Sequence, residues 1–417
     1  MKDRVALLFG VHAHQPVGNF PAVMHEAFER CYGPYIETLA RYPEFRCAFH
    51  VSGWLFEWLS QHYPAAMAKL RVMAQRGQVE LFSAGYSEPV LAAIPARDRV
   101  GQVKHLSQQL QAWSGQAPQG AWLTERVWES SVVPSLVQAG VRYVTVDDYH
   151  FLCTGRTHEE MTGYFTSEED NQRIDLFPIS EQLRYRFPFA QAKDAVGYLS
   201  SLASPAQPCA VYFDDIEKFG IWPETYAWVY EQRWLEQFIE GVLASDNIKS
   251  MLFRDYHAAH TTRGIVYLPT CSYREMNEWT LPASAARTYT ELEGLLKRHS
   301  MQERGKAFVR GGIWRNFFSL YAESNWMHKR MLGLSARVDE VLRGMSEAQR
   351  TAQGARLSQL LYFAQANDAY WHGLFGGLYL PHLRRALWSA LIELEALLDP
   401  IAPRPAYVEL DLDSDGD

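Results

Sequence analysis

Val5-Ala6-Leu7-Leu8-Phe9-Gly10-Val11-His12-Ala13-His14-Gln15 begins as an apolar run and ends in two imidazoles and an amide. The run is far shorter than the roughly 20 apolar residues of a membrane-spanning helix. A secretory leader would need a longer apolar stretch and a small-residue cleavage site. The run therefore reads as a first strand, buried on both faces. Similar β-rich runs recur at Arg46–Ser52, Gln78–Ala84, Gly120–Leu123, Val141–Val146 and Cys209–Phe213, with Ile265–Leu268 as a further candidate. Amphipathic stretches such as Pro64–Gln75 and Asp98–Trp113 lie between them. This alternation, over roughly the first 260 residues, predicts βα repeats around a parallel sheet. A closed barrel of seven or eight strands suits the pattern better than an open sheet. No GxGxxG follows the first strand, so a dinucleotide fold has no support.

Polar residues fall where such a fold would use them. His12-Ala13-His14-Gln15, Glu88-Pro89, Glu125-Arg126, Asp147-Asp148-Tyr149-His150 and Asp214-Asp215 all sit at or just past a strand's C-terminal end. In a βα barrel that end is the active-site face, whatever the chemistry.

From about Thr288 the pattern turns helical. Tyr289–Ser300, Ser324–Met345, Ala348–His372 and Leu380–Leu398 carry apolar residues at i, i+3, i+4 spacing. The expected organisation is a catalytic barrel over 1–285 and a helical bundle completing the active site over 286–399. Residues 400–417 would be a linker, marked by Pro400, Pro403 and Pro405, and the stub of a missing β domain. The stub is suggested by the alternating Tyr407–Asp413 pattern, which has no partner strand behind it.

The 417 residues are 47% hydrophobic and 21% charged, with net charge -8. That is ordinary soluble-globular composition, and the scattered Lys and Arg give no basic patch for nucleic acid or an acidic membrane. Cys31, Cys47, Cys153, Cys209 and Cys271 are odd in number and form no CxxC pair. They read as reduced, structural thiols of a cytoplasmic protein. The 13 Trp, 22 Tyr and 21 Phe often stand beside carboxylates or His. Aromatics in polar company can floor a sugar site, since sugar rings have apolar C–H faces; core packing is the plainer alternative.

Three constellations carry chemistry. Trp122-Leu123-Thr124-Glu125-Arg126-Val127-Trp128 sets a carboxylate and a cation between two tryptophans, as a glycosidic nucleophile would need. Phe213-Asp214-Asp215-Ile216-Glu217-Lys218, followed by Trp222, packs three carboxylates and a lysine after a strand. Adjacent carboxylates repel, so one should hold its proton near neutrality and serve as a general acid; spacing does not choose between Asp214 and Asp215. His12 and His14 alternate on one strand face. They suit a metal, given a third ligand such as Asp147, Asp148 or His150, or a clamp on sugar hydroxyls. A metal-dependent sugar deacetylase is thus a rival to a glycosidase. Near the end of a predicted helix, Asp368, Trp371 and His372 would share one face and form a sugar subsite.

On these motifs the sequence resembles the glycoside hydrolase family 57 enzymes, and among them the 4-α-glucanotransferase and α-amylase group. The resemblance runs from about Val5 to about Asp413. It rests on His12 to Phe20, Glu88 to Pro95, Trp122 to Trp128, Val146 to Phe151, Glu217 to Gly220 and Asn367 to Arg384. It implies a (β/α)7 barrel followed by a helical segment, with no metal or other cofactor. It implies Glu125 as nucleophile and Asp215 as acid/base of a retaining enzyme. His12, His14, Glu217, Trp222, Asp368 and Trp371 match positions that line sugar subsites, and Gln15, Glu88, Trp122, Asp214, Lys218 and His372 join them as candidates. The expected reaction is transfer between α-1,4-glucans, with hydrolysis as the alternative and an inactive glucan-binding relative more remote. Expected partners are an α-glucan substrate and acceptor, neither nucleic acid nor membrane, with a homodimer left open. Two positions depart from the family. Ile216 replaces a glycine, which would matter if that residue needed positive φ. Ser87 replaces an aromatic, which would matter if it faced the sugar.

Overall fold

The structure is a computed structural model that describes residues 3–373, 376–404 and 411. Nine strands are present among the described residues: β1 Val5–Ala13, β2 Cys47–Val51, β3 Val79–Phe82, β4 Gly120–Trp122, β5 Tyr143–Asp147, β6 Phe165–Glu169, β7 Gln172–Ile179, β8 Cys209–Asp215 and β9 Ile248–Ser250. All nine residues of β1 are buried, as expected of a strand covered on both faces. It lies in the order β3-β2-β1-β8, with β9 beside its first residues, and all these pairs are parallel. A second sheet runs β4-β5-β7-β6.

Backbone hydrogen bonds stitch the two sheets at both seams. Ser83 accepts from Trp122 N–H (2.8 Å) and donates to the Gly120 carbonyl (2.9 Å), joining β3 to β4. Ser180 N–H donates to the Val211 carbonyl (2.9 Å), joining the end of β7 to β8. Seven strands, β1, β2, β3, β4, β5, β7 and β8, thus follow one another around a ring. The architecture is α/β, a (β/α)7 barrel followed by helices.

The helices Ala322–Gly344, Ala355–Ala364 and Pro381–Leu398 pack on one another, and Ala283–Arg298 precedes them. Met327, Leu334, Leu361 and Leu387 share one apolar core with Leu123, Val144 and Val146 of the barrel. The other core, around Phe9, Phe213 and Phe253, fills the barrel and its flank. None of the helices searched among the described residues is long and apolar enough to cross a membrane. The five cysteines are free thiols, four of them buried.

Three expectations are corrected. Ile265–Leu268 is not a strand: Ile265 makes one isolated bridge to Thr166 and is 65% exposed. The β6–β7 hairpin and β9 were missed, β7 because charged residues and Pro178 interrupt its apolar alternation. The Ala348–His372 helix breaks after Ala364, so Asp368, Trp371 and His372 share no helical face; Asn367–Ala369 form a 3₁₀ turn instead. The Tyr407–Asp413 strand pattern, apart from Asp411, lies outside the described residues.

Candidate active site

Thr124–Arg126 form a tight 3₁₀ turn just past β4, where Arg126 N–H reaches back to the Leu123 carbonyl at 2.7 Å. Glu125 and Arg126 both adopt left-handed backbone, with φ of 53° and 50°, and Glu88 does so at 57°. Such conformations strain non-glycine residues and persist only where surroundings over-determine them. Here Ser272 Oγ–H donates to the Glu125 carbonyl, and Tyr273 O–H donates to Glu125 Oε2 at 2.8 Å. Burial, opposed by Arg126 and reinforced by Asp215, pushes the Glu125 carboxyl up to about 7.

Asp214 and Asp215 end β8 with opposite fates. Asp214 is fully buried and accepts from Arg126 Nη1 (3.3 Å), Arg184 Nε (3.0 Å) and Lys218 Nζ. Against the cost of burial, these three cations hold it far below the ordinary carboxylate range. Arg184 also donates to Asp147 at 2.8 Å. The buried cluster sets three cations against two carboxylates, leaving a surplus positive charge beside Glu125. Asp215 is only half-buried, and its acidity is weakened by burial and by the neighbouring Asp214 charge. The partners thus distinguish the two: Asp214 is locked into the ion cluster, whereas Asp215 stands more exposed beside it.

Ile216 opens the next 3₁₀ turn, is fully buried and is absent from the positive-φ residues; the strained position is Gly220 at φ 155°. The departure from glycine at 216 thus costs no backbone strain. Ser87 is also fully buried, bonded to Gln102 and the Tyr362 carbonyl, so an aromatic missing there removes nothing from the cleft wall.

Around the carboxylates, His14 Nε2 lies 3.2 Å from both oxygens of Asp368, and its Nδ1 lies 3.1 Å from Ser52 Oγ. Burial opposes its charge, but Asp368 prevails and raises His14 to about 9. Glu217 is raised to about 8 by burial and by Asp215, and accepts from Tyr32 O–H. Gln15 lies behind, donating to Tyr32 at 2.9 Å. Lys218 Nζ stands 5.3 Å from the Trp222 ring, which is half-buried. Trp371 donates to Asn367 Oδ1, and Trp279 bridges its ring to Tyr273 through contacts of 6.4 and 5.9 Å. An aromatic wall thus runs from Glu125 to Trp371.

Other candidates fall elsewhere. Trp128 is entirely buried in the second core, and Trp122 is buried with its ring stacked on His12 at 4.5 Å. Neither is an open stacking floor, because the strand end turns both rings inward. His372 is held by Tyr321 O–H at 2.8 Å, apart from Asp368. The proposed third metal ligands are engaged away from His12 and His14: Asp147 with Arg184, Asp148 with Glu181 N–H, and His150 with backbone carbonyls. Instead His50 and Glu88 approach His12 closely enough for the three to be considered as cation ligands. Sequence reasoning missed His50, although it lies at a strand end like the residues singled out. It also missed Tyr32, Arg184 and Tyr273, which carry no local signal and arrive from distant segments.

Residues 8–269 match glycosyl hydrolase family 57, and residues 312–398 match the alpha-amylase/4-alpha-glucanotransferase middle domain. The chain belongs to glycosyl hydrolase family 57. It is 46% identical over 394 residues to an α-amylase of Pyrococcus furiosus, covering 94% of this chain and 59% of that protein. It is 44% identical over 415 residues to a 4-α-glucanotransferase of Thermococcus litoralis, covering 99% and 60%. The crystal structure of the Thermococcus litoralis 4-α-glucanotransferase superposes with a TM-score of 0.91 over 99% of this chain and 62% of that one. An α-amylase from Thermotoga maritima, 14% identical, shares the fold at TM-score 0.66 over 96% of this chain and 94% of that one. This family 57 chain therefore spans about 60% of the length of the curated relatives it matches.

Proposed function

We propose that the chain is a retaining 4-α-glucanotransferase acting on α-1,4-glucans by double displacement. The observation that carries this reading is the division of labour among three carboxylates. Asp214 is neutralised by cations, Asp215 stands half-buried beside it with its acidity weakened, and Glu125 is aimed by Tyr273 beside surplus positive charge. Asp215 protonates the glycosidic oxygen while ionised Glu125 attacks the anomeric carbon. The resulting β-glucosyl ester is then attacked by an acceptor hydroxyl, whose proton returns to Asp215. The C–O bond broken in the first step is replaced in the second, and the α configuration is restored.

Transfer requires a glucan hydroxyl to outcompete water at the ester, which a walled cleft favours. The Tyr273–Trp279–Trp371 wall supports such acceptor binding, and the two groups of relatives bear both names, transferase and amylase. Incubation of the pure protein with maltotriose and a chelator tests the reading. Products longer than maltotriose indicate transfer; glucose and maltose alone indicate hydrolysis. An absence of turnover on maltotriose and longer glucans would overturn both. A cytoplasmic site of action follows from the same reading, since glucan stores and reduced thiols occur together there.

A further inference from the structure

Two tryptophan rings meet at the surface of the helical segment. Trp326, on the helix Ala322–Gly344, and Trp388, on the helix Pro381–Leu398, have ring centroids 5.3 Å apart and planes inclined at 74°. Trp326 is 48% exposed and Trp388 half-buried, so both rings reach solvent. Neighbouring indole rings left in water offer a broad apolar contact face. Neither belongs to the cleft described above, and the double displacement uses neither.

The rings are set in a fixed polar frame. Glu323, one turn before Trp326, accepts from Trp388 Nε1–H at 3.1 Å, and its other oxygen lies 3.1 Å from Arg384 Nε. Arg384 also donates to the Leu378 carbonyl, and Leu378 N–H donates to the Trp371 carbonyl at 2.8 Å. The frame is thereby tied to the aromatic wall of the cleft. The wall itself continues outward from Trp371. Phe317 stands 5.7 Å from that ring and 6.4 Å from Tyr321, whose hydroxyl meets that of Tyr379 at 2.9 Å. Tyr379 is 58% exposed. Aromatic side chains thus extend from the cleft to the start of the helix that carries Trp326.

Three features choose the occupant. The two ring planes are turned through 74°, which fits a coiled chain. α-1,4 linkages rotate each glucose relative to the last, whereas a β-1,4 chain is a flat ribbon that needs coplanar rings. Glu323 and Arg384, part-exposed around their ion pair, keep oxygen and N–H groups available to sugar hydroxyls. Farther along the same two helices the surface turns to ion pairs, Arg330 with Glu395 and Arg337 with Asp399. Paired charges thus border the rings, and a stable protein interface of about 800 Å² per partner would have to bury them.

We propose that Trp326 and Trp388, with Glu323 and Arg384, form a second α-glucan-binding site that holds a long chain while another stretch of it occupies the cleft. The class of ligand rests on reading the cleft as a glucan site. A second hold on one chain raises avidity for polymers without changing turnover of a substrate too short to reach both. The test is affinity electrophoresis of the full chain in gels containing amylopectin, on the Glu125→Gln background so that the polymer is not consumed. Trp326→Ala should raise the apparent dissociation constant about 10-fold, and Trp326→Phe, which keeps a ring, by less than about 3-fold. In the active enzyme, Trp326→Ala should raise KM for amylopectin yet keep kcat/KM for maltotriose within about 2-fold, which also shows that it folds. Unchanged retention in Trp326→Ala, or equal retention of the Glu125→Gln chain by hydroxyethylcellulose, a β-1,4 glucan, would overturn the site. So would a loss on maltotriose matching that on amylopectin. A dimer in sedimentation that Trp326→Ala dissolves without weakening amylopectin retention would overturn it in favour of a contact between two copies. Polymer binding is read without turnover, so failure of the transferase reading would show separately, as a wild type idle on maltotriose that still binds amylopectin through Trp326.

Discussion

Asp214 and Asp215 are neighbours in sequence and opposites in environment, and single substitutions should separate them. Under the proposed mechanism Asp215→Asn removes the proton donor, and Glu125→Gln the nucleophile; each should lower kcat by on the order of 10⁴-fold or more while leaving the melting temperature near wild type. Asp214→Asn instead strands three buried cations, which should cost about 3–5 kcal/mol in a denaturant titration. The pH dependence of kcat should show an acid limb: activity rises as Glu125 loses its proton near 7, and Glu125→Gln abolishes that limb in any residual rate. His14 permits a stability measurement of definite sign. Its folded value, about 9, exceeds the unfolded value of about 6.5. Its contribution is complete below about 6.5 and lost as pH rises through 9, so wild type and His14→Gln should converge in stability across that window.

At the scale of elements, the Ile216–Phe219 turn is held by Gly220 rather than by residue 216. A Cβ on Gly220 would stand 2.1 Å from the Arg30 carbonyl oxygen, an unyielding backbone atom. Gly220→Ala should therefore displace the turn that carries Glu217 and Lys218. It should lower both stability, by about 1–3 kcal/mol, and maltotriose turnover. Ile216→Gly should lower stability by about 2–5 kcal/mol with no gain in rate, because the isoleucine fills core and its φ is ordinary. Thermal melts and initial rates on the two variants check both statements. Element ends were readable where a continuous apolar run met polar residues, as at His12, Glu125 and Asp214. They were unreadable in β9, three residues long with a lysine at its centre, and in the 348–372 stretch, whose helical periodicity persists through the break at Ala364.

For the whole molecule, the helical segment is part of the site and of the core. Asn367 donates to the Glu88 carbonyl through both its backbone N–H and its side chain, and receives Trp371 on its Oδ1. Those bonds deliver Asp368 to His14 and Trp371 to the aromatic wall. Truncation after residue 285 should accordingly expose the shared apolar core, bind a hydrophobic dye and show no turnover. Asn367→Ala should raise KM more than it lowers kcat, since it loosens the wall and spares the carboxylates. The sequence by itself determined the βα repeat, the face on which function would lie, and the candidacy of Glu125 and of the Asp214–Asp215 pair. Local periodicity and strand ends are properties of neighbouring residues. Only the tertiary structure decided which aspartate is locked, that Trp122 and Trp128 turn inward, that Ser87 and Ile216 are buried without positive φ, and that His50 and Glu88 stand behind His12. Proton affinity, strain and burial depend on which distant segments close around a residue, and no spacing along the chain encodes that.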